Sequence, residues 1–178
     1  GVEPVDAEFV ASIEPESRID DLLGDVVETH EGKIVWTRRF RVKAGDSPAS
    51  VKIAGEMRYQ VCDATSCRPK NQKFDLSLAG QPTAAAPVFE FKYAPTRKIK
   101  GVEKPGRSTW TVRLSPSKAS PGEKIQLSIH ARMIDGYHTF AVDHDRKNIG
   151  VPTTIEELAI AGLKPADPKS GFKPSHAA

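Results

Sequence analysis

The sequence predicts an all-β protein, an immunoglobulin-like β-sandwich, and three observations carry that expectation. Apolar and polar residues alternate in short stretches of strand length. Fourteen prolines and 13 glycines separate those stretches. The hydrophobic fraction of 38% is spread along the chain, and no apolar run approaches the roughly 20 residues of a membrane span. A chain of 178 residues accommodates one domain or two small ones. The two tryptophans do not sit between paired cysteines, so an antibody-type domain is not expected.

The elements follow in order. Val2–Val10 reads as a strand, and Asp20-Asp21-Leu22-Leu23-Gly24-Asp25 as an acidic loop. A strand at Lys33–Lys43 places Ile34, Trp36, Phe40 and Val42 on one face, and Ala44-Gly45-Asp46-Ser47-Pro48 turns the chain. Ser50–Val61 alternates through Val51, Ile53, Met57, Tyr59 and Val61, with Gly55 expected at a bulge or bend. Gln72–Leu78 alternates through Phe74, Leu76 and Leu78. Small residues and prolines from Gly80 to Pro87 read as a linker, followed by the alternating piece Val88–Tyr93 and a basic, proline-bounded connection. Beyond it, Trp110, Val112 and Leu114 mark one strand, and Ile125, Leu127, Ile129, Ala131 and Met133 a longer one. Asp135-Gly136 is a turn leading to Tyr137-His138-Thr139-Phe140, Thr153–Ile160 is a last strand, and Lys164–Ala178 is expected to be poorly ordered.

The only cysteines, Cys62 and Cys67, stand at the tip of the hairpin formed by the strands on either side of them. Four polar or small residues separate them, a length suited to a hairpin loop, and facing positions there come close enough for a disulfide. Closing a loop of about six residues stabilises by only about 2 kcal/mol in the chain-entropy account. The pair is thus either a modest structural staple or a couple that cycles between dithiol and disulfide. Arg68 and Lys70 favour a thiolate there, and Asp63 opposes it. Both readings stand on the residues alone, and either fits an oxidising compartment.

Other function classes find little support. The net charge is +3, but the basic residues are dispersed among 23 acids, with no basic stripe interleaved with aromatics for nucleic acid. No Ser-His-Asp set or phosphate-cradling glycine pattern is present, and no cofactor is expected. Asp143-His144-Asp145, with His130 and His138 nearby, has metal-compatible types, yet adjacent residues rarely converge on one ion, so a solvated loop is expected. Tyr137 and Phe140 read as core aromatics or neighbours of a cap, and Tyr59 as a packing residue or a wall of the cysteine site. Without a charged-then-apolar amino terminus, any signal peptide is expected outside this sequence.

The stretch Gly55-Glu56-Met57-Arg58-Tyr59-Gln60-Val61-Cys62-Asp63-Ala64-Thr65-Ser66-Cys67-Arg68-Pro69 resembles the hairpin of the amino-terminal periplasmic domain of DsbD-type thiol:disulfide interchange proteins. The shared signature is Tyr-Gln-x-Cys, a short Asp-containing loop, a second Cys and a proline. Asp20–Gly24 resembles that domain's cap loop, and Gly32–Val42 the strand after it. Trp110–Val112, Pro121-Gly122-Glu123 and Asp135-Gly136-Tyr137-His138-Thr139-Phe140 resemble the beginning of the same domain.

The family's later half therefore comes first. The expected organisation is a carboxy-terminal part in 1–80, a linker over 81–106 and an amino-terminal part of a second unit in 107–178. Gly1–Val10 and Gly150–Ile160 would be equivalent strands. A slice through tandem copies is the simplest account, and a circular permutation or a strand-exchanged homodimer reads the same way.

The resemblance implies a periplasmic electron carrier, in a family that serves thiol:disulfide interchange and cytochrome c biogenesis. Its partners would be thioredoxin-like proteins or domains, with membrane association only through a longer parent protein. It implies that Cys67 exchanges with the partner and Cys62 resolves, that Asp20, Asp21, Leu22 and Leu23 cap the pair, and that Tyr59, Gln60, Tyr137 and Phe140 adjoin it. Two departures stand out: Leu22-Leu23 replaces the cap's aromatic residue, and Pro69 is followed by Lys70 where the family has a second proline. The alternative is a secreted immunoglobulin-like interaction or adhesion domain with an inert disulfide.

Overall fold

The computed structural model describes residues 2–20, 24–45, 51–77, 90–116, 118–144 and 150–160. Every regular element among them is a strand, and two six-stranded antiparallel sheets face each other as an immunoglobulin-like β-sandwich. The first sheet contains β1 (Val2–Pro4), β2 (Val10–Ala11), β5 (Lys33–Val42), β8 (Glu90–Tyr93), β11 (Ser108–Ser115) and β12 (Lys124–Met133), in the order β1-β5-β12-β11-β8 with β2 also on β5. The second contains β3 (Glu16–Ile19), β4 (Val26–Glu31), β6 (Lys52–Cys62), β7 (Cys67–Ser77), β13 (His138–Phe140) and β14 (Thr154–Ile160). There β6 is flanked by β7 on one side and by β14 and β13 on the other, and β4 and β3 follow β13.

Strands from both halves of the chain share each sheet, side by side in the first and interleaved in the second. β5 pairs with β12 from Lys33↔Arg132 to Arg41↔Lys124, and β13 lies between β4 and β6. The segments on either side of 81–106 thus share one core and complete one sandwich within the chain. The expected linker is itself partly structured. β8 joins the first sheet, and β9 (Thr96–Ile99) and β10 (Val102–Pro105) form a separate two-stranded ribbon. The proposed equivalence of the two Gly-Val strands does not hold in space, because β1 pairs with β5 of one sheet and β14 with β6 of the other. Val2–Val10 is also not one strand: it is two short ones joined by bends.

The alternations turn inward as their periods require. Ile34, Trp36, Phe40 and Val42 of β5 meet Ile53, Met57 and Tyr59 of β6 across the sandwich, with Ile125, Leu127 and Ile129 of β12 alongside. Trp36 and Trp110 stack at 5.8 Å between ring centres, and Tyr59 lies 4.0 Å from Trp110. Three large aromatics from facing sheets therefore fill the middle of the core, each burying on the order of 150–250 Å². Tyr59 is thereby a core packing residue and does not wall the cysteine site.

Gly55 stands at a bulge, as the sequence suggests: it pairs with Glu157 where β14 carries one extra residue. The β6–β7 register runs unbroken from Lys52↔Ser77 to Cys62↔Cys67, and the irregularity falls on β14 between Glu157 and Ala159. A Cβ at position 55 would stand 2.4 Å from the Phe74 ring and 2.6 Å from the Glu156 carbonyl. Glycine is needed there because an aromatic ring lies across the strand.

Candidate functional site

Strand parity decides where the cysteines go. Ile53, Met57, Tyr59 and Val61 point between the sheets, so Gln60 and Cys62 point to the outer face of the second sheet. Cys62 faces Cys67 across the hairpin and is bonded to it, with Cα atoms 4.0 Å apart. That is the narrow kind of facing pair in an antiparallel ladder. The Asp63 N–H donates to the Ser66 carbonyl at 2.9 Å and closes the tip.

Asp63 braces this tip. Its Oδ1 accepts from the Thr65 N–H and hydroxyl, both at 2.9 Å, and from the Ser66 N–H at 2.8 Å. Those donors, led by the Thr65 amide and joined by the Tyr137 hydroxyl, hold the carboxyl well below the ordinary carboxylate range. The residue expected to oppose a thiolate is thus a loop brace whose charge is engaged by several donors. Tyr137 serves the same tip from the other segment, and its ring lies 5.4 Å from the Arg107 guanidinium.

The two sulfurs have unlike surroundings. Cys62 is 1% exposed and clusters with Val27 of β4 and Phe140 of β13, apart from the main core. Cys67 is exposed. Both line a groove of about 550 Å³ on the outer face, bounded by Arg18, Ile19 and Asp20 on one side and Gly150 and Val151 on the other. Ile19 is 67% exposed and Val151 46%, so the rim around the reachable sulfur is partly apolar.

Long-range pairing assembles the walls. Gln60 Oε1 accepts from the Val151 N–H at 2.8 Å and ties that loop to β6. A Cβ on Gly150, whose φ is +111°, would meet the Phe140 ring at 2.4 Å, so the loop backbone lies directly on that ring. Thr153 Oγ1 donates to the Phe140 carbonyl at 2.6 Å and holds the other end of the same segment. Phe140 also packs on His144 at 4.9 Å. His144 is buried and its Nδ1 accepts from the Glu28 N–H at 3.3 Å, so it is a packing residue and not part of a solvated loop. Asp145 lies outside the described residues, and among those described no cluster of metal-binding side chains occurs.

Asp20 reaches the groove, and the Gly24 N–H donates to its carbonyl at 2.7 Å in the turn between β3 and β4. Asp21, Leu22 and Leu23 lie outside the described residues. Of the other residues singled out, Gln60 and Phe140 line the groove with the cysteines, Tyr137 braces the tip, and Tyr59 is in the core.

His138, Arg18, Val27 and Gly150 also line the groove, although the sequence does not mark them as parts of the site. His138 is the cross-strand partner of Cys62 and lines the groove. Burial holds its imidazole below its ordinary value and the nearby Arg18 charge adds to that, while Glu31, Asp20 and Asp63 oppose. Its one sequence signal is the i, i+2 spacing to Phe140, which puts both on the same face of β13. Nothing local marks Arg18 or Val27, because β3 and β4 reach the site only through sheet pairing.

Comparison of the chain with protein-family models, with curated proteins and with solved structures finds no match.

Proposed function

We propose that this protein is a thiol:disulfide interchange module, a protein-disulfide reductase unit that passes two electrons between thioredoxin-like partners through Cys62 and Cys67. The observation that carries the reading is the asymmetry of the pair: one sulfur exposed in a groove, the other buried behind it. Exchange requires a thiolate to approach along the S–S axis, and the exposed position of Cys67 favours attack there. The partner sulfur bonds to Cys67, the Cys62–Cys67 bond breaks, and its electron pair leaves on Cys62. A second partner thiolate attacks the partner sulfur of the mixed disulfide, and Cys67 leaves as the thiolate. The protein then holds two electrons and, after protonation, two thiols. Transfer to an oxidised protein reverses these steps.

The resemblance of Tyr59-Gln60-Val61-Cys62 and the hairpin beyond it to DsbD-type amino-terminal domains supports the same reading, and with it a periplasmic or other extracytoplasmic setting. The partly apolar rim is suited to a protein partner. The short loop supports it as well, since a bond worth about 2 kcal/mol is a weak reason to staple a domain with so extensive a core.

The test is to mix Cys62→Ala, reduced at Cys67, with an oxidised thioredoxin-like protein. A mixed disulfide should form readily with this variant and poorly with Cys67→Ala. The wild-type couple should have a potential above about −250 mV. A bond below roughly −300 mV that resists reduced thioredoxin would instead identify an inert staple in an interaction domain.

A further inference from the structure

We infer that His138 is the proton acceptor for Cys62, making the buried cysteine competent to resolve mixed disulfides formed at Cys67. This rests on the interchange reading above and assigns the base that the buried member of the pair requires.

The geometry is set by the sheet. His138 and Cys62 are direct cross-strand partners, so their side chains emerge side by side on the outer face, and both line the groove. The ring is half-buried and held edge-on against Phe140 at 5.9 Å between centres, which limits where its nitrogens can reach. Cys62 itself is shut off from solvent, packed by Val27 and Phe140. Burial in apolar surroundings raises a thiol's proton affinity, so Cys62 is a poor nucleophile without a base beside it. A neutral imidazole is such a base, and the burial that depresses His138's proton affinity keeps it neutral near pH 7. The charged groups around it are Arg18 on β3, Glu31 opposite it on β4, Asp20 at the β3–β4 turn and Asp63 at the hairpin tip. His144 lies beyond the Phe140 ring.

In the resolving step the Cys62 thiol gives its proton to the His138 imidazole. The resulting thiolate attacks Cys67 Sγ of the mixed disulfide. The Cys62–Cys67 bond forms, the bond from Cys67 to the partner sulfur breaks, and the electron pair leaves with the partner. The imidazolium then releases its proton to the departing thiolate or to water. The protein's dithiol is oxidised and the partner's disulfide is reduced. In the opposite direction, the imidazolium protonates Cys62 as it is expelled.

The experiment uses the reduced full chain with oxidised glutathione, following first the mixed disulfide and then its resolution as separate phases. His138→Phe keeps a ring against Phe140, and His138→Gln keeps polarity without basicity. Both should slow resolution at pH 7 by tenfold or more and abolish a histidine inflection in its pH profile, while attack at Cys67 stays within about twofold. Unchanged resolution with an unchanged inflection in folded variants overturns the assignment.

A second measurement needs no variant. The His138 titration, followed by NMR in wild-type protein, should move when the disulfide is reduced, because a thiol then shares its proton; a midpoint that stays put also overturns the assignment. If instead the wild-type bond resists thioredoxin and no mixed disulfide forms at all, it is the interchange reading that fails.

Discussion

On β6 the residues that point between the sheets and those that point outward belong to two different environments. Inward, Ile53, Met57, Tyr59 and Val61 enter a continuous core around the Trp36–Trp110 stack. Outward, Cys62 clusters with Val27 and Phe140, next to His138 and its disulfide partner Cys67, at a groove. β13 divides in the same way: Thr139 is fully buried toward the core side, while His138 and Phe140 line the groove. The difference teaches how a sandwich carries a disulfide on its outer face. The inner face supplies most of the buried apolar surface, so the outer face can hold one sulfur exposed and one shielded at little expense to folding. Histidines follow the division too, with His30 edge-on to Trp36 inside and His138 beside Cys62 outside.

The largest effect should come from the inner side. Trp110→Ala removes the ring that bridges Trp36 and Tyr59, and should lower unfolding free energy by about 3–5 kcal/mol in urea titration. If the two environments are separable, the disulfide in the folded fraction should still be reduced by dithiothreitol at close to the wild-type rate. A large change in that rate would break the comparison.

The two crowded glycines sharpen it. Gly55→Ala sets a methyl against both the Phe74 ring and the Glu156 carbonyl on the core side, and should destabilise by about 1–3 kcal/mol or more without altering thiol reactivity. Gly150→Ala sets one against Phe140, at a φ of +111° that L residues rarely adopt. It should cost less overall, since a loop can shift where a sheet cannot, but displacing the ring should expose Cys62. The expected readout is faster alkylation of the reduced protein in Gly150→Ala, with Gly55→Ala at the wild-type rate. The reverse ranking would place the shielding of Cys62 elsewhere.

These outcomes also bear on what the sequence could disclose. The inner face was legible because alternation is local: Ile34, Trp36, Phe40 and Val42, or Ile125 through Met133, announce a buried face without knowing what covers it. The hairpin and its closable pair were legible for the same reason. The groove was not, because its walls come from β3, β4, β13 and the Gly150–Val151 loop, far apart in the chain and joined by pairing alone. Gly55 shows the limit at one residue: a glycine in a strand signals the bulge found there, and nothing local tells that the Phe74 ring also lies against it. Tyr59 shows it again, since its place beside Trp110 depends on a strand some 50 residues away.

Removing the disulfide tests the outer side on its own. Reduction, or replacement of both cysteines by alanine, should lower stability by about 2 kcal/mol with an unchanged denaturant slope, because the main core does not include the pair. A loss of half the total stability, or a shallower slope, would mean that the hairpin tip holds the sandwich together.

The smallest effect is the pH dependence contributed by His30. Its ring is 2% exposed against Trp36, and burial holds its proton affinity below the ordinary value, with Asp143 and Glu14 opposing. The unfolded chain therefore binds a proton at this site at a higher pH than the folded chain does. Stability rises with pH wherever the unfolded state holds more protons, so this contribution is complete above the ordinary histidine value of 6.5 and falls away below it as the solution is acidified. His138 and His130 are lowered in the same direction and add to the same slope, each also led by burial. His30→Phe, which keeps an aromatic edge toward Trp36 and removes the titrating group, should flatten the fall in urea midpoint between pH 7 and pH 5. His138→Phe should flatten it less, since that ring is only half-buried, yet it should change the pH profile of thiol exchange, which His30→Phe should leave as it is. If His30→Phe moved the exchange profile and not the stability slope, the separation between the two sides of the second sheet would be lost.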